Sequence, residues 1–212
     1  MIRSENGSVD PGNRNTNQEE AEVNGQVHER SGQLRVQGSR IETRVSIRGA
    51  TPTDGEALRG MFARASSETI YLRFHTPYPD VPEWMLALML DLNHPDKEFL
   101  LAVTDEEIVG HAMYVVLGDS SEAEMAIIVE DGWQSRGVGK LLLSGLAKSA
   151  RLRGIETFTA DVLLGNRRML GLAGAMFVGT RYAIRDGQYH VRMPLGTSEP
   201  AAHTSRALSR VA

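Results

Sequence analysis

Residues 133–143 read WQSRGVGKLLL and follow directly on an apolar run, MAIIVE at 125–130. Two glycines, flanked by Gln134, Arg136 and Lys140, open what otherwise reads as an amphipathic helix, although glycine costs a helix interior about 1 kcal/mol relative to alanine. A helix start carries unpaired backbone N–H groups and partial positive charge, so small residues there suit an anion that must come close to the main chain. Two familiar phosphate loops do not fit. The G-x-x-x-x-G-K-[ST] loop needs glycine where Gln134 stands and Ser or Thr where Leu141 stands; the dinucleotide fingerprint needs glycine at Leu142. What is left is Gln134-x-x-Gly137-x-Gly139, a pattern able to cradle a pyrophosphate on main-chain amides. Spacing alone leaves a plain loop and helix start, which glycine also favours, equally open.

The elements that must position this loop follow from hydrophobic period. RVSIRGA (44–50) alternates as a half-buried strand, and 51–66 continues as a helix with Leu58, Met61, Phe62 and Ala65 on one face. SETIYLRF (67–74) fits a second short helix, and 82–93 a third with Pro82 in its first turn. Residues 98–117 form two strands around the acidic turn Thr104 to Glu107, and 122–130 another strand. From Arg136 to Arg153 the positions Val138, Leu142, Leu143, Leu146, Ala147 and Ala150 share one helical face, with Gly154 placed to end it. A strand at 156–164, a short helix at 166–175 and a hairpin turning at Asp186-Gly187 complete the order β-α-α-α-β-β-β-α-β-α-β-β. A meander followed by a β-α-β crossover predicts an α+β (α/β sandwich) fold, with a mixed sheet flanked by helices.

Composition narrows the partners. Of 212 residues, 23 are Lys or Arg and 27 Asp or Glu, a net charge of -4 that offers no footprint for nucleic acid. The absence of cysteine excludes disulfides, thiolate metal sites and a cysteine acyl-enzyme. No His, Asp and Glu spacing suggests a metal. No apolar run approaches a membrane span, and the N-terminus has no apolar signal region, so a soluble, cytoplasmic protein with no membrane partner is expected. Residues 1–40 carry only scattered hydrophobes and read as a disordered or loosely attached tail; 41–196 form one domain, and 197–212 a second tail in which 204–211 could form a short helix.

The segment AEMAIIVEDGWQSRGVGKLLLSGL resembles the acetyl-CoA-binding core of the GNAT superfamily of N-acetyltransferases, and ADVLLGNRRMLGLAGAMF is similar to its second motif, in which an Asn opens a short helix. The element order agrees with that family from about residue 44 to 195. The resemblance implies a mostly antiparallel GNAT-type sheet and acetyl-CoA as cosubstrate. Its pyrophosphate would lie on the backbone of Gln134, Ser135, Arg136, Gly137, Val138, Gly139 and Lys140, and its pantetheine arm would pair with main chain near Ile128 and Val129. That pairing requires the sheet to splay beyond strand 122–130. The Ile128 amide is the implied oxyanion donor, and Asn166 both caps its helix and contacts the CoA arm. A lysine ammonium, with a reference pKa near 10.4, needs a base. Glu124 stands where many family members place theirs, projecting by alternation with Glu122 and Ala126; Glu122 is the reserve. Many members supply a tyrosine as general acid where this chain has Ala173, so the thiolate leaves unassisted or through water.

SSETIYLRF together with the strand and loop at 124–142 further resembles the catalytic domain of bacterial lysine acetyltransferases that modify acyl-CoA synthetases. The implied acceptor is a protein lysine, an acyl-CoA synthetase being one possible partner. A small-molecule amine and a non-catalytic acyl-CoA-binding regulatory module are the alternatives. Tyr71, Arg73 and Phe74 are expected near the acceptor entrance, His111 is read as structural, and WMLALML as core.

Overall fold

A computed structural model describes residues 33–37, 42–118 and 120–196. The chain runs β1 (Gln33–Gln37), β2 (Glu42–Gly49), α1 (Gly55–Arg64), α2 (Ser67–Phe74), α3 (Glu83–Met89), β3 (Lys97–Val103), β4 (Ile108–Val116), β5 (Glu122–Val129), α4 (Val138–Leu152), β6 (Thr157–Leu163), α5 (Arg167–Met176), β7 (Arg181–Arg185) and β8 (Gln188–Pro194). Short 3-10 turns precede α1 (Pro52–Asp54) and follow β5 (Asp131–Trp133). The strands form one sheet in the order β1-β2-β3-β4-β5-β6-β8-β7, and only β5 and β6 run parallel. This is the mixed sheet that the element order predicts, mostly antiparallel as the family resemblance implies.

One correction concerns the N-terminal side. Residues 33–37, assigned to the tail by their composition, form an edge strand antiparallel to β2, with Leu34 packed against the core. A single docked hydrophobe leaves little periodic signal, which is why composition misplaces it. Residues 1–32 and 197–212, with the helix expected at 204–211, lie outside the described residues.

Helices cover both faces of the sheet. Val138, Leu142, Leu143, Leu146, Ala147 and Ala150 of α4 are buried with Val45, Ile47, Tyr114, Met125 and Phe158 of the strands. Leu58, Met61 and Phe62 of α1 and Ile70 of α2 pack on the opposite face with Phe99, Leu101 and Ile128. The WMLALML helix is split: Leu86 and Met89 are core, whereas Trp84 and Leu88 are exposed. Gly154 ends the α4 segment with φ +76°, and Asp186 and Gly187 take φ of 49° and 77°, the left-handed pair a two-residue hairpin requires. Among the described residues no helix is long and apolar enough to cross a membrane.

The turn from β2 into α1 is held by a partly buried ion pair, with Asp54 buried and Arg48 half-exposed. Arg48 donates from Nη1 and Nη2 to the Asp54 carboxylate at 2.7 and 2.6 Å, and the Thr51 N–H donates at 2.7 Å. The Arg48 hydrogen bonds outweigh the opposing effect of burial and hold the Asp54 carboxyl down to about 2 from 3.8. A carboxyl depressed in the folded state stabilises the fold above its unfolded pKa and loses that contribution as pH falls through the folded value. Asp54→Asn is therefore expected to cost about 2 kcal/mol at neutral pH and to remove the loss of stability that the native chain shows between about pH 4 and 2. Urea unfolding across that range checks it; the same pH slope in both chains would contradict the assignment.

Candidate active site

The sheet opens where its one parallel pairing stops. β5 and β6 pair only from Glu122↔Thr157 to Glu124↔Thr159, whereas β4 stays paired with β5 up to Gly110↔Val129 and β8 stays paired with β6 up to Gln188↔Leu163. The two central strands thus diverge beyond Glu124, and a cleft of about 480 Å³ fills the opening. Its walls are Met125 to Val129 of β5, Ala160 to Val162 of β6, the start of α4, one side of α5 and the α2 residues Glu68, Thr69, Leu72 and Arg73.

Hydrogen-bond parity decides which strand residues can reach a ligand. Leu117 donates to the Glu122 carbonyl and Glu130 to the Val109 carbonyl, so the even-numbered residues of β5 turn their main chain toward β4. With no register shift between them, Ile128 pairs with His111, and its amide is committed to β4. This corrects the expectation that Ile128 supplies the oxyanion donor. Its side chain lines the cleft, but the main-chain groups directed into the opening are those of Met125, Ile127 and Val129. The Val129 carbonyl already accepts from Gln134 Nε2 at 2.9 Å.

At the far end of the cleft the chain turns through Ser135, φ 58°, and Gly137, φ 90°, into α4. Leu141 is the first residue whose N–H finds a helical partner, the Gly137 carbonyl at 3.0 Å. Among the described residues the N–H groups of Ser135, Arg136, Gly137, Val138, Gly139 and Lys140 donate no hydrogen bond. Six successive orphan amides at a helix N-terminus form a concave anion site. The glycines act differently from the simple expectation of clearing room for phosphate. Gly137 supplies a left-handed backbone that turns the amides, with Leu34 of β1 3.2 Å from where its Cβ would lie. A Cβ at Gly139 would meet Leu172 Cδ2 at 3.2 Å, so that glycine lets α5 pack close to α4. Lys140 lines the cleft, Val138 is buried beneath it, and Arg136 stands outside with its guanidinium 5.8 Å from the Trp133 ring.

Side chains around the turn are ties. Gln134 donates to Thr69 Oγ1 at 3.1 Å as well as to Val129, and accepts from Arg168, joining α2, β5 and α5. Asp131 accepts from the Ser66 N–H and hydroxyl at 2.8 and 2.7 Å and from Thr69 Oγ1 at 2.9 Å, clamping the start of α2 onto the loop. Burial alone would raise the Asp131 carboxyl, but these hydrogen bonds prevail and keep it below its ordinary value. Asn166 caps α5 by accepting from the Met169 N–H at 3.1 Å and lines the cleft. The tying roles of Asp131 and Thr69 escape sequence reasoning, because their partners lie more than 60 positions away.

At the fork, Glu124 is exposed and shares a face with Ala126 and Ile128, in a cross-strand row with Val115 and Thr159. Glu122, the reserve base, is unsuited: Arg192 donates to both its oxygens at 2.7 and 2.5 Å and holds its carboxyl below the ordinary value. His111 is fully buried between the rings of Phe62 and Phe99, and burial pushes its pKa well below the ordinary value, so it stays neutral. Ala173, where a tyrosine was absent from the sequence pattern, is core. Arg73 reaches the cleft wall, whereas Tyr71 is exposed and Phe74 packs on Phe62 and Tyr78. Among the described residues no group of three metal-binding side chains occurs.

Residues 61–176 match the family model described as Acetyltransferase (GNAT) family. Acetyltransferase Pat of Mycolicibacterium smegmatis is 30% identical over 139 residues, which is 62% of this chain and 41% of that relative, so the chain spans well under half the length of that protein. The GNAT domain of S. lividans PAT superposes with a TM-score of 0.68 at 27% identity, covering 77% of this chain and 96% of that domain. Salmonella typhimurium yncA, solved with its cofactor acetyl-CoA, shares the fold with a TM-score of 0.58 at 18% identity over 74% of this chain and 98% of that one.

Proposed function

The chain belongs to the acetyltransferase (GNAT) family, and from that premise we propose that residues 41–196, with edge strand β1, carry the acetyl group of acetyl-CoA directly to a protein lysine, Glu124 acting as general base. The observation that carries this reading is the cleft itself: six unpaired amides at Ser135 to Lys140 lie at one end and the open edge of β5 runs along it, while Glu124, which does not line the cleft, stands exposed at the last paired position of β5 and β6, next to the lining residue Met125. An anionic pyrophosphate suits the amides, an amide-bearing pantetheine arm suits the main-chain groups of Ile127 and the N–H of Val129, which face the opening, and Asn166 lines the same space.

Glu124 takes the proton from an arriving ammonium and returns it to solvent, leaving a neutral amine beside the thioester. The leaving thiolate is weakly basic, with thiols titrating near 8.5, so the burial of Ala173 where other members carry tyrosine does not prevent turnover. Exposure of Glu124 favours a lysine on a folded partner over a small amine, which a closed pocket would hold better. An acyl-CoA synthetase in the cytoplasm is the first acceptor to assay. Labelled acetyl-CoA incubated with such an enzyme, with lysine peptides and with polyamines is expected to label the protein lysine preferentially; preferential labelling of polyamines would transfer the function to small amines. Binding of acetyl-CoA with no CoA release for any amine would leave a regulatory module instead.

A further inference from the structure

Arg73, in the last turn of α2, is a cation in an awkward place. Its Nε is buried with no hydrogen-bond partner, its guanidinium stacks 4.7 Å from the Phe74 ring centroid, and Nη2 reaches only the Met113 sulfur at 3.6 Å. Among the described residues it forms no ion pair; the opposite charge it feels is Glu124, without contact. Desolvation accordingly lowers it to about 10. A desolvated charge held without a counter-ion is costly and persists where a ligand completes it. Its position can be placed on the sheet: Met113 is paired with Ala126, the residue between Glu124 and Ile128 on the same face, and Arg73 lines the cleft at that level.

Resting on the proposed function, we propose that Arg73 is a catalytic residue whose guanidinium receives the thioester carbonyl oxygen as negative charge builds on it. The Ile128 amide is turned to β4 and the Ile127 amide faces the cleft; Arg73, which lines the cleft, adds a charged side-chain donor to that main-chain one. In the transfer the neutral amine nitrogen bonds to the carbonyl carbon and the carbonyl π pair moves onto oxygen beside Arg73. The nitrogen's surplus proton passes to Glu124. As the pair returns, the carbon–sulfur bond breaks and the thiolate takes that proton. The other charged groups around Glu124 are Lys97 and Arg192 in its cross-strand row and Glu122 bound to Arg192. Further off stand the Asp161 and His190 pair and Glu68, His75 and Asp131 of the cleft wall, with neutral His111 beneath.

Arg73→Gln and Arg73→Lys are compared with the native chain for kcat, for the acceptor KM and for acetyl-CoA affinity by calorimetry. Arg73→Gln is expected to lower kcat about 100-fold with acetyl-CoA affinity within a few-fold, the size typical of losing one oxyanion donor. Arg73→Lys should lower kcat by about ten-fold, since a point charge lacks the planar fork. Native turnover together with an unchanged kcat in Arg73→Gln overturns the role of Arg73 alone. A rise confined to the acceptor KM would do the same, marking Arg73 as an acceptor contact. No turnover by the native chain overturns the proposed function, and this role with it.

Discussion

Glu124→Gln is expected to lower kcat by about 10²–10⁴-fold at neutral pH while acetyl-CoA still binds. The substitution keeps size and hydrogen-bonding reach but cannot hold a proton taken from an ammonium. Among the described residues the neighbouring titratable groups are already engaged or buried. The Glu122 carboxylate is bound on both oxygens by Arg192, the imidazole of His111 is buried and neutral, and the exposed His190 is paired with Asp161 at 2.9 Å. Donor binding should be spared because the amides of Ser135 to Lys140 lie beyond the other end of the cleft from residue 124. Raising the pH supplies neutral amine without a base, so the deficit should narrow toward the lysine pKa near 10.4. Stopped-flow or coupled detection of free CoA between pH 6 and 10, with calorimetric binding of acetyl-CoA alongside, gives both readings. A variant that turns over like the native chain would remove Glu124 from the chemistry and leave the fork without a base.

The second large effect concerns the anion cradle. Gly137→Asp is expected to weaken acetyl-CoA binding about 10–100-fold, whereas Gly137→Asn weakens it only a few-fold. Both residues tolerate the left-handed backbone of φ 90° better than other side chains do, and both must displace Leu34 by the same few tenths of an ångström. They differ by a charge. At an N-cap the aspartate carboxylate accepts from the first-turn amides and occupies the place of the pyrophosphate, which it also repels. Calorimetry at two salt concentrations tests the assignment: the gap between Asp and Asn should shrink as ions screen the repulsion. Equal affinities for the two variants would show that the phosphates bind elsewhere.

Much of the fold was legible because period and punctuation agree along the chain. The α4 face, the α2 segment at 67–74, the hairpin at Asp186-Gly187 and the strand order all follow from residues close in sequence. The GNAT resemblance rested on the same local stretch, Gln134 to Lys140. Edge strand β1 was not legible, since one docked side chain, Leu34, marks it within a polar segment. Nor could sequence show the tie between Asp131 and Ser66, or that Glu122 is occupied by Arg192 from β8, for these unite residues 65 and 70 positions apart.

The amino-acid sequence by itself therefore determined the elements, the glycine-rich turn and the presence of a glutamate two residues past the start of β5, because each depends on local conformational preference. Tertiary structure alone decided which of these groups are free to act. Whether a strand amide faces a neighbour or a cleft depends on pairing parity, which turns Ile128 away and Ile127 inward. Whether a carboxylate or guanidinium has a partner depends on what distant strands and helices bring beside it. That is why, among the described residues, Glu124 and Arg73 form no ion pair while Glu122, two residues from Glu124, does.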